Sequence, residues 1–108
     1  MKENRKLPAN IFEMILGLEY YTKGIIGFKK QQSEFLPLGS GVTVKIKLEG
    51  RIAAEITGTF TRSDSTTKIN GKNELIDWYK KNFKQGDKVR VKIESPIYYI
   101  LSKPEMNS

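Results

Sequence analysis

Asn70-Gly-Lys-Asn-Glu-Leu-Ile-Asp-Trp-Tyr-Lys-Lys-Asn-Phe-Lys-Gln-Gly-Asp-Lys-Val-Arg-Val-Lys-Ile93 holds the change of period on which the fold of this 108-residue chain turns. In its first half Ile76, Tyr79 and Phe83 recur at i, i+3 and i+7 with Leu75 and Trp78 alongside, which predicts a short amphipathic helix. Asn73 is placed to cap it, Glu74 and Asp77 favour its positive end, and Lys80, Lys81 and Lys84 its negative end. Asp77 and Lys81 are spaced to pair one turn apart. After the break at Gln85-Gly86-Asp87 the period falls to two. Val89, Val91 and Ile93 then alternate with Lys88, Arg90 and Lys92, as in a strand with one buried face. Asn70-Gly71 marks a turn ahead of the helix.

Working outward, the same period of two dominates. Downstream, Ser95-Pro96 turns the chain into the apolar run Ile97–Leu101, and the polar tail from Ser102 is expected to be loose. Upstream, Val42, Val44, Ile46 and Leu48 alternate with Thr43, Lys45 and Lys47. Past Glu49-Gly50 the alternation resumes over Arg51–Phe60, with Ile52, Ala54, Ile56, Gly58 and Phe60 on one face, so the two runs predict a hairpin. Gly39-Ser40-Gly41 reads as a turn. Tyr20–Phe28 is rich in β-formers and is followed by the polar stretch Lys29–Glu34. Near the start, Ile11, Met14, Ile15 and Leu18 have helical spacing behind Asn10 as N-cap, but Gly17 weakens a helix and a strand over part of residues 10–20 is the alternative. The sum is one mainly β domain over residues 1–108, with loose ends at about 1–7 and 102–108 and one or two short helices. A barrel or sandwich suits this order better than a parallel sheet.

The charge is one-sided. Nineteen Lys and Arg oppose twelve Asp and Glu, for a net +7. A surplus of that size on one small domain favours a polyanionic partner, because counterion release supplies much of nucleic-acid affinity. The chain has neither Cys nor His, which excludes thiolate nucleophiles, disulfides, zinc fingers and histidine general bases. The nearest candidates for a carboxylate metal site, Glu49, Glu55, Asp64, Glu74, Asp77, Asp87 and Glu94, are scattered singly rather than paired as a phosphodiesterase would need. A non-catalytic protein with no cofactor or metal is the expectation. Met1–Lys6 is too polar for a secretory leader and Ile11–Leu18 too short to span a bilayer, so a cytoplasmic location with no membrane partner is expected.

Three groups of residues could meet a polyanion. Lys29, Lys30, Gln31, Gln32 and Ser33 form a basic, polar arm; Lys and Ser suit phosphate, and Gln can bond adenine with both amide atoms. Taken alone, the stretch also reads as an ordinary solvated loop. Thr61–Lys68 is the second, with Arg62 as a fork for guanine, the hydroxyls of Ser63, Ser65 and Thr66, Asp64, and Lys68. Its plain alternative is a polar hairpin end. The third is the alternating Lys45, Lys47, Lys88, Arg90 and Lys92, which reads more readily as the solubilising outer face of half-buried strands. Trp78, Tyr79 and Phe83 fall on the packing face of their helix and are assigned to the core.

The run from Asn70 to Ile93 resembles a segment of the DNA-binding pseudobarrels. These comprise the plant B-three-type transcription-factor domain and its bacterial relatives in restriction endonucleases. A short helix carrying an aromatic, a loop ending in Gly86-Asp87 and the strand Val89, Val91, Ile93 carry the likeness, and Ser95–Leu101 is similar to the last strand of bacterial members. The resemblance covers about the last half of the chain. It implies a seven-stranded open pseudobarrel whose two arms grip the major groove of double-stranded DNA. By position Lys29–Ser33 would be the first arm and Arg62–Lys68 the second. It further implies Arg62 and Gln31 or Gln32 as base readers, and Lys29, Lys30, Ser63, Ser65 and Lys68 as phosphate contacts. A nuclease, if one acts, would be a partner domain or subunit.

Other readings stand beside this one. A small barrel could bind single-stranded DNA or RNA with little sequence preference, stacking bases on the outward members of the pairs Tyr20-Tyr21 and Tyr98-Tyr99. A protein-interaction domain with incidental charge is a third reading, and a magnesium-dependent nuclease a distant fourth.

Overall fold

The computed structural model describes residues 8–50, 54–63 and 66–104. Seven strands form one sheet: β1 Ile11–Ile15, β2 Ile25–Gly27, β3 Val42–Leu48, β4 Ala54–Arg62, β5 Thr67–Asn70, β6 Lys88–Ser95 and β7 Tyr98–Ser102. Helix α1, Leu18–Lys23, separates β1 from β2, and α2, Lys72–Asn82, separates β5 from β6. The strand order is β1-β6-β7-β3-β4-β5-β2; every pairing is antiparallel except that of β3 with β7. The sheet curls until its two outer strands nearly meet. There the Gly27 N–H points at Met14 Sδ, 3.2 Å away, and the Phe12 and Phe28 rings stand edge to face at 5.6 Å. The result is a mainly β, nearly closed seven-stranded barrel.

Alternation built this core as the sequence indicates, except that Ala54, expected on the inner face at the start of β4, is exposed. Val44, Ile46 and Leu48 of β3, Ile56 and Phe60 of β4, Val89, Val91 and Ile93 of β6, and Tyr99 and Leu101 of β7 all point inward and are buried. The expected β3–β4 hairpin is present, with Val42 opposite Phe60 through Leu48 opposite Ala54. Its expected residues Arg51, Ile52 and Ala53 lie outside the described residues. Gly58 faces inward where β4 crowds β5: a Cβ there would stand 2.9 Å from the Asn70 carbonyl oxygen and 2.9 Å from Ile69. At the other edge of the alternation, β7 runs on to Ser102, paired with Arg90, one residue into the tail expected to be loose.

The leading segment departs from its helical reading. Residues 11–15 are a strand, and a helix follows where the composition of Tyr20–Phe28 predicts the beginning of a β run. Over five residues both periods can be fitted. The set that wins is Phe12, Met14 and Leu16, of which Met14 and Leu16 are buried, whereas Ile15 and Leu18 are largely exposed. Gly17 is the N-cap of α1, which carries an exposed Glu19–Lys23 pair at 3.8 Å and is stopped by Gly24 in the left-handed region at φ 68°.

Helix α2 closes one mouth of the barrel with Leu75, Trp78, Tyr79 and, just past its end, Phe83, all buried. The rings of Trp78 and Phe83 pack edge to face at 5.2 Å. The Tyr79 hydroxyl donates to the Ile25 carbonyl at 3.0 Å, tying the helix to β2, and burial pushes its pKa far up. The start of α2 lies two residues earlier than Asn73 as cap requires. Gly71 is the boundary residue, and the Asn70 side chain accepts the Lys72 N–H at 2.9 Å, so Asn70-Gly71 makes a strand-to-helix corner. The expected Asp77–Lys81 pair is not among the ion pairs of the described residues.

The Gly86-Asp87 break has a local cause. Gly86 takes φ 97°, and the Asp87 carboxylate accepts the Lys84 N–H at 2.9 Å. The Gly86 N–H then donates to the Leu16 carbonyl and the Leu16 N–H to the Asp87 carbonyl. This short knot sets β6 in register beside β1.

Candidate nucleic-acid interface

Register fixes which connections share an end of the barrel. Val42 opposite Phe60 brings the start of β3 to the end of β4, and Gly27 opposite Lys68 brings the end of β2 to the start of β5. Lys45 opposite Tyr98 adds the start of β7. The β2–β3, β4–β5 and β6–β7 connections therefore leave together from one mouth, while α1, α2 and the β3–β4 hairpin lie toward the other. Both arms picked out in the sequence belong to the first mouth.

The first arm is a 3-10 helix, Lys30–Phe35. Its entry is closed by the Lys29 N–H donating to Gln32 Oε1 at 2.8 Å and the Gln32 N–H donating to the Lys29 carbonyl at 3.0 Å. Gln32 is only 7% exposed, while Lys29, Lys30, Gln31 and Ser33 are exposed. Of the two glutamines proposed to read bases, Gln31 presents its amide to solvent and Gln32 spends its own on the turn. No feature of the run Lys-Lys-Gln-Gln-Ser distinguishes the two in advance.

The second arm joins β4 to β5. Ser63 and Thr66 close it: the Ser63 N–H and hydroxyl donate to the Thr66 carbonyl at 2.8 and 3.1 Å, and the Thr66 N–H donates back to Ser63 Oγ at 3.2 Å. Ser63 and Thr66 are exposed, and Lys68 is half-buried in β5. Asp64 and Ser65, also proposed for this arm, lie outside the described residues.

Arg62 is where the arms meet. Its Nη2 is 3.5 Å from the Ser33 carbonyl oxygen, and its guanidinium lies 5.8 Å from the centroid of the Phe60 ring. Nε is buried without a partner. The guanidinium is thereby oriented over a cleft of about 500 Å3 lined by Lys29, Lys30, Ser33, Arg62, Ser63 and Thr66. The fork assigned to guanine is partly committed to Ser33, at the outer limit of hydrogen-bond length, and keeps further N–H groups for a base.

Ser40 completes the junction, although in the sequence it reads only as a turn residue. Its Oγ accepts the Arg62 N–H at 2.9 Å and donates to the Arg62 carbonyl at 3.4 Å. Its position between two glycines marks a tight turn; that the turn clamps a residue 22 positions on depends on topology alone.

Charge sorts the candidate surfaces. Among the described residues Lys29, Lys30, Arg62 and Lys68 take part in no ion pair. On the outer sheet face, by contrast, Lys47 pairs with Glu49 at 3.9 Å, Lys92 with Glu94 at 3.3 Å and Arg90 with Glu13 at 3.2 Å. Three of the five cations of that face are thus paired, while Lys45 and Lys88 take part in no ion pair among the described residues. A cleft of about 510 Å3 at the helix mouth is rimmed by Glu55, Glu74 and Asp77 against the single cation Lys81, a poor environment for a polyanion. In each tyrosine pair one ring is taken up by the fold, and its neighbour, Tyr21 or Tyr98, is half-buried. Tyr99 is fully buried with its hydroxyl on the Pro96 carbonyl at 2.7 Å, and Tyr20 packs its ring over Gly27. Among the described residues no three acidic side chains gather to hold a metal ion, and no helix is long and apolar enough to cross a membrane.

No protein-family model matches the chain, and no curated protein matches it in sequence. Solved structures do. The structure of the hypothetical Arabidopsis thaliana protein At1g16640.1 superposes with a TM-score of 0.60 over 89% of this chain and 93% of that one, at 12% identity. The Arabidopsis FUS3–DNA complex superposes with a TM-score of 0.56 over 89% of this chain and 97% of that one, again at 12% identity. Both likenesses extend well beyond the last half of the chain, to which the sequence resemblance is confined. At this level of identity what the three chains have in common is the fold, a seven-stranded pseudobarrel.

Proposed function

We propose that this chain is a non-catalytic module that binds double-stranded DNA and reads its sequence in the major groove with two arms. The observation that carries this is the convergence of two basic, hydroxyl-rich arms, distant in sequence, on Arg62 at one mouth of the barrel. In this reading Lys29, Lys30, Ser33, Ser63, Ser65, Thr66 and Lys68 hold the backbone phosphates, with Asp64 at the same arm, and Gln31 and Arg62 approach base edges. Phosphate contacts fix register and orientation, and base contacts supply sequence discrimination. The fold shared with a chain solved in complex with DNA supports the ligand class. Membership of the B-three-type family and its restriction-endonuclease relatives belongs to the same proposal, as does a cytoplasmic role recognising DNA for a nuclease domain or subunit.

The test is a gel-shift titration of a randomised duplex pool with sequencing of the retained fraction, for the wild type and Arg62→Ala. An enriched motif that relaxes at one position in the variant supports major-groove reading, with single base changes costing about 1–3 kcal/mol each. Retention without enrichment, tracking salt alone or favouring single strands, overturns it.

A further inference from the structure

The same mouth of the barrel carries an apolar side chain that the two-arm reading leaves unused. Leu38 is 92% exposed, the most exposed large hydrophobic among the described residues. Its loop is not loose. Leu36 and Pro37 before it are buried, and the Leu36 N–H donates to the Ser33 carbonyl at 3.2 Å, the oxygen that also receives Arg62. After it, Ser40 clamps Arg62 and the Gly41 N–H donates to the Phe60 carbonyl at 2.8 Å. Leu38 is thus carried between the first arm and the second on a segment stitched to both.

Resting on the duplex-binding reading, we infer that Leu38 is a third, apolar specificity element which senses the C5-methyl group of a thymine. The chemistry is restrictive. The edges of the base pairs in a major groove present hydrogen-bond donors and acceptors and one apolar group, the thymine methyl. A leucine carried on backbone pinned on both sides, at the same mouth as an arginine and a glutamine that bond polar edges, has that methyl as its matching contact. The contact adds discrimination for T over C at one position, through the methyl and not through a hydrogen bond.

The test uses the duplex motif selected by the wild type, with each thymine replaced in turn by deoxyuridine, which removes the methyl and nothing else. Burial of one methyl predicts about a fourfold loss of wild-type affinity at one thymine. Leu38→Ala should bind the thymine and deoxyuridine duplexes equally. Leu18→Ala, a largely exposed leucine toward the other mouth, should retain the fourfold difference. Equal losses in wild type and Leu38→Ala, or no sensitive thymine while Arg62→Ala still relaxes the motif, would overturn the role of Leu38 and leave the two-arm reading standing. Absence of any selected motif overturns both.

Discussion

Gln32 separates an arm residue that shapes the site from one that touches DNA. Truncation to Ala removes the acceptor of the Lys29 N–H, a 2.8 Å bond, worth about 1 kcal/mol net because the exposed Lys29 backbone can turn to water instead. It also strips one buried methylene, about 0.8 kcal/mol. Release of the side chain's rotamers returns roughly 1 kcal/mol. The remainder is a destabilisation of about 1 kcal/mol, or about 4 °C in Tm for a domain of this size. Gln31→Ala touches no hydrogen bond and should stay within about 0.5 kcal/mol of wild type. Thermal unfolding of both variants, beside binding to the selected duplex and to its single-base variants, reads the difference. Gln32→Ala should lower Tm and weaken all duplexes alike, whereas Gln31→Ala should leave Tm alone and relax one position. A Gln32→Ala variant with unchanged Tm and a relaxed base preference would refute the reasoning, because the side chain would then be a reader.

Three more predictions concern the frame. Gly58→Ala forces a Cβ to within 2.9 Å of the Asn70 carbonyl oxygen, so β4 and β5 must part; a loss of about 2 kcal/mol in denaturant unfolding is expected. Lys72 sits at φ 58°, and Lys72→Gly should relieve roughly 1 kcal/mol of left-handed strain, raising Tm with little change in duplex affinity. Tyr79 and Tyr99 are both buried and both hold their protons well above the ordinary phenol value of 10. The unfolded chain loses those protons first, so their contribution to stability is complete below about pH 10 and falls as pH rises beyond it, by roughly 1.4 kcal/mol per pH unit for each phenol. Tyr79→Phe should shallow that alkaline slope, and a slope unchanged by the substitution would show that Tyr79 is not the source.

The strands β3, β4, β6 and β7 are legible in the sequence because each has one wet and one dry face, and alternation is then imposed along its length. β1 is not, since Ile11, Met14 and Ile15 fit a helix as well as Phe12, Met14 and Leu16 fit a strand. α1 hides behind β-forming Tyr20, Tyr21 and Thr22, although Glu19 and Lys23 four apart and Gly24 after them are its signature. Both arms can be found from residue chemistry, but their meeting cannot. Ser33, Ser40 and Arg62 come together only through the register of β3 with β4, and Gln32 turns inward because a 3-10 turn needs its amide.

In the two-arm reading, the unpaired cations of the arms, and not the general basicity of the chain, hold the duplex. The salt dependence of affinity for the selected duplex tests this most directly. The comparison sets a Lys29→Ala, Lys30→Ala, Lys68→Ala variant against a Lys80→Ala, Lys84→Ala, Lys88→Ala variant with the same net charge. The arm variant should lower the slope of log affinity against log salt by roughly 2.7, about 0.9 for each phosphate left without its lysine. The second variant, altered toward the helix mouth, should keep the wild-type slope within about 0.5 on the same scale. Equal slopes for the two variants would contradict the account.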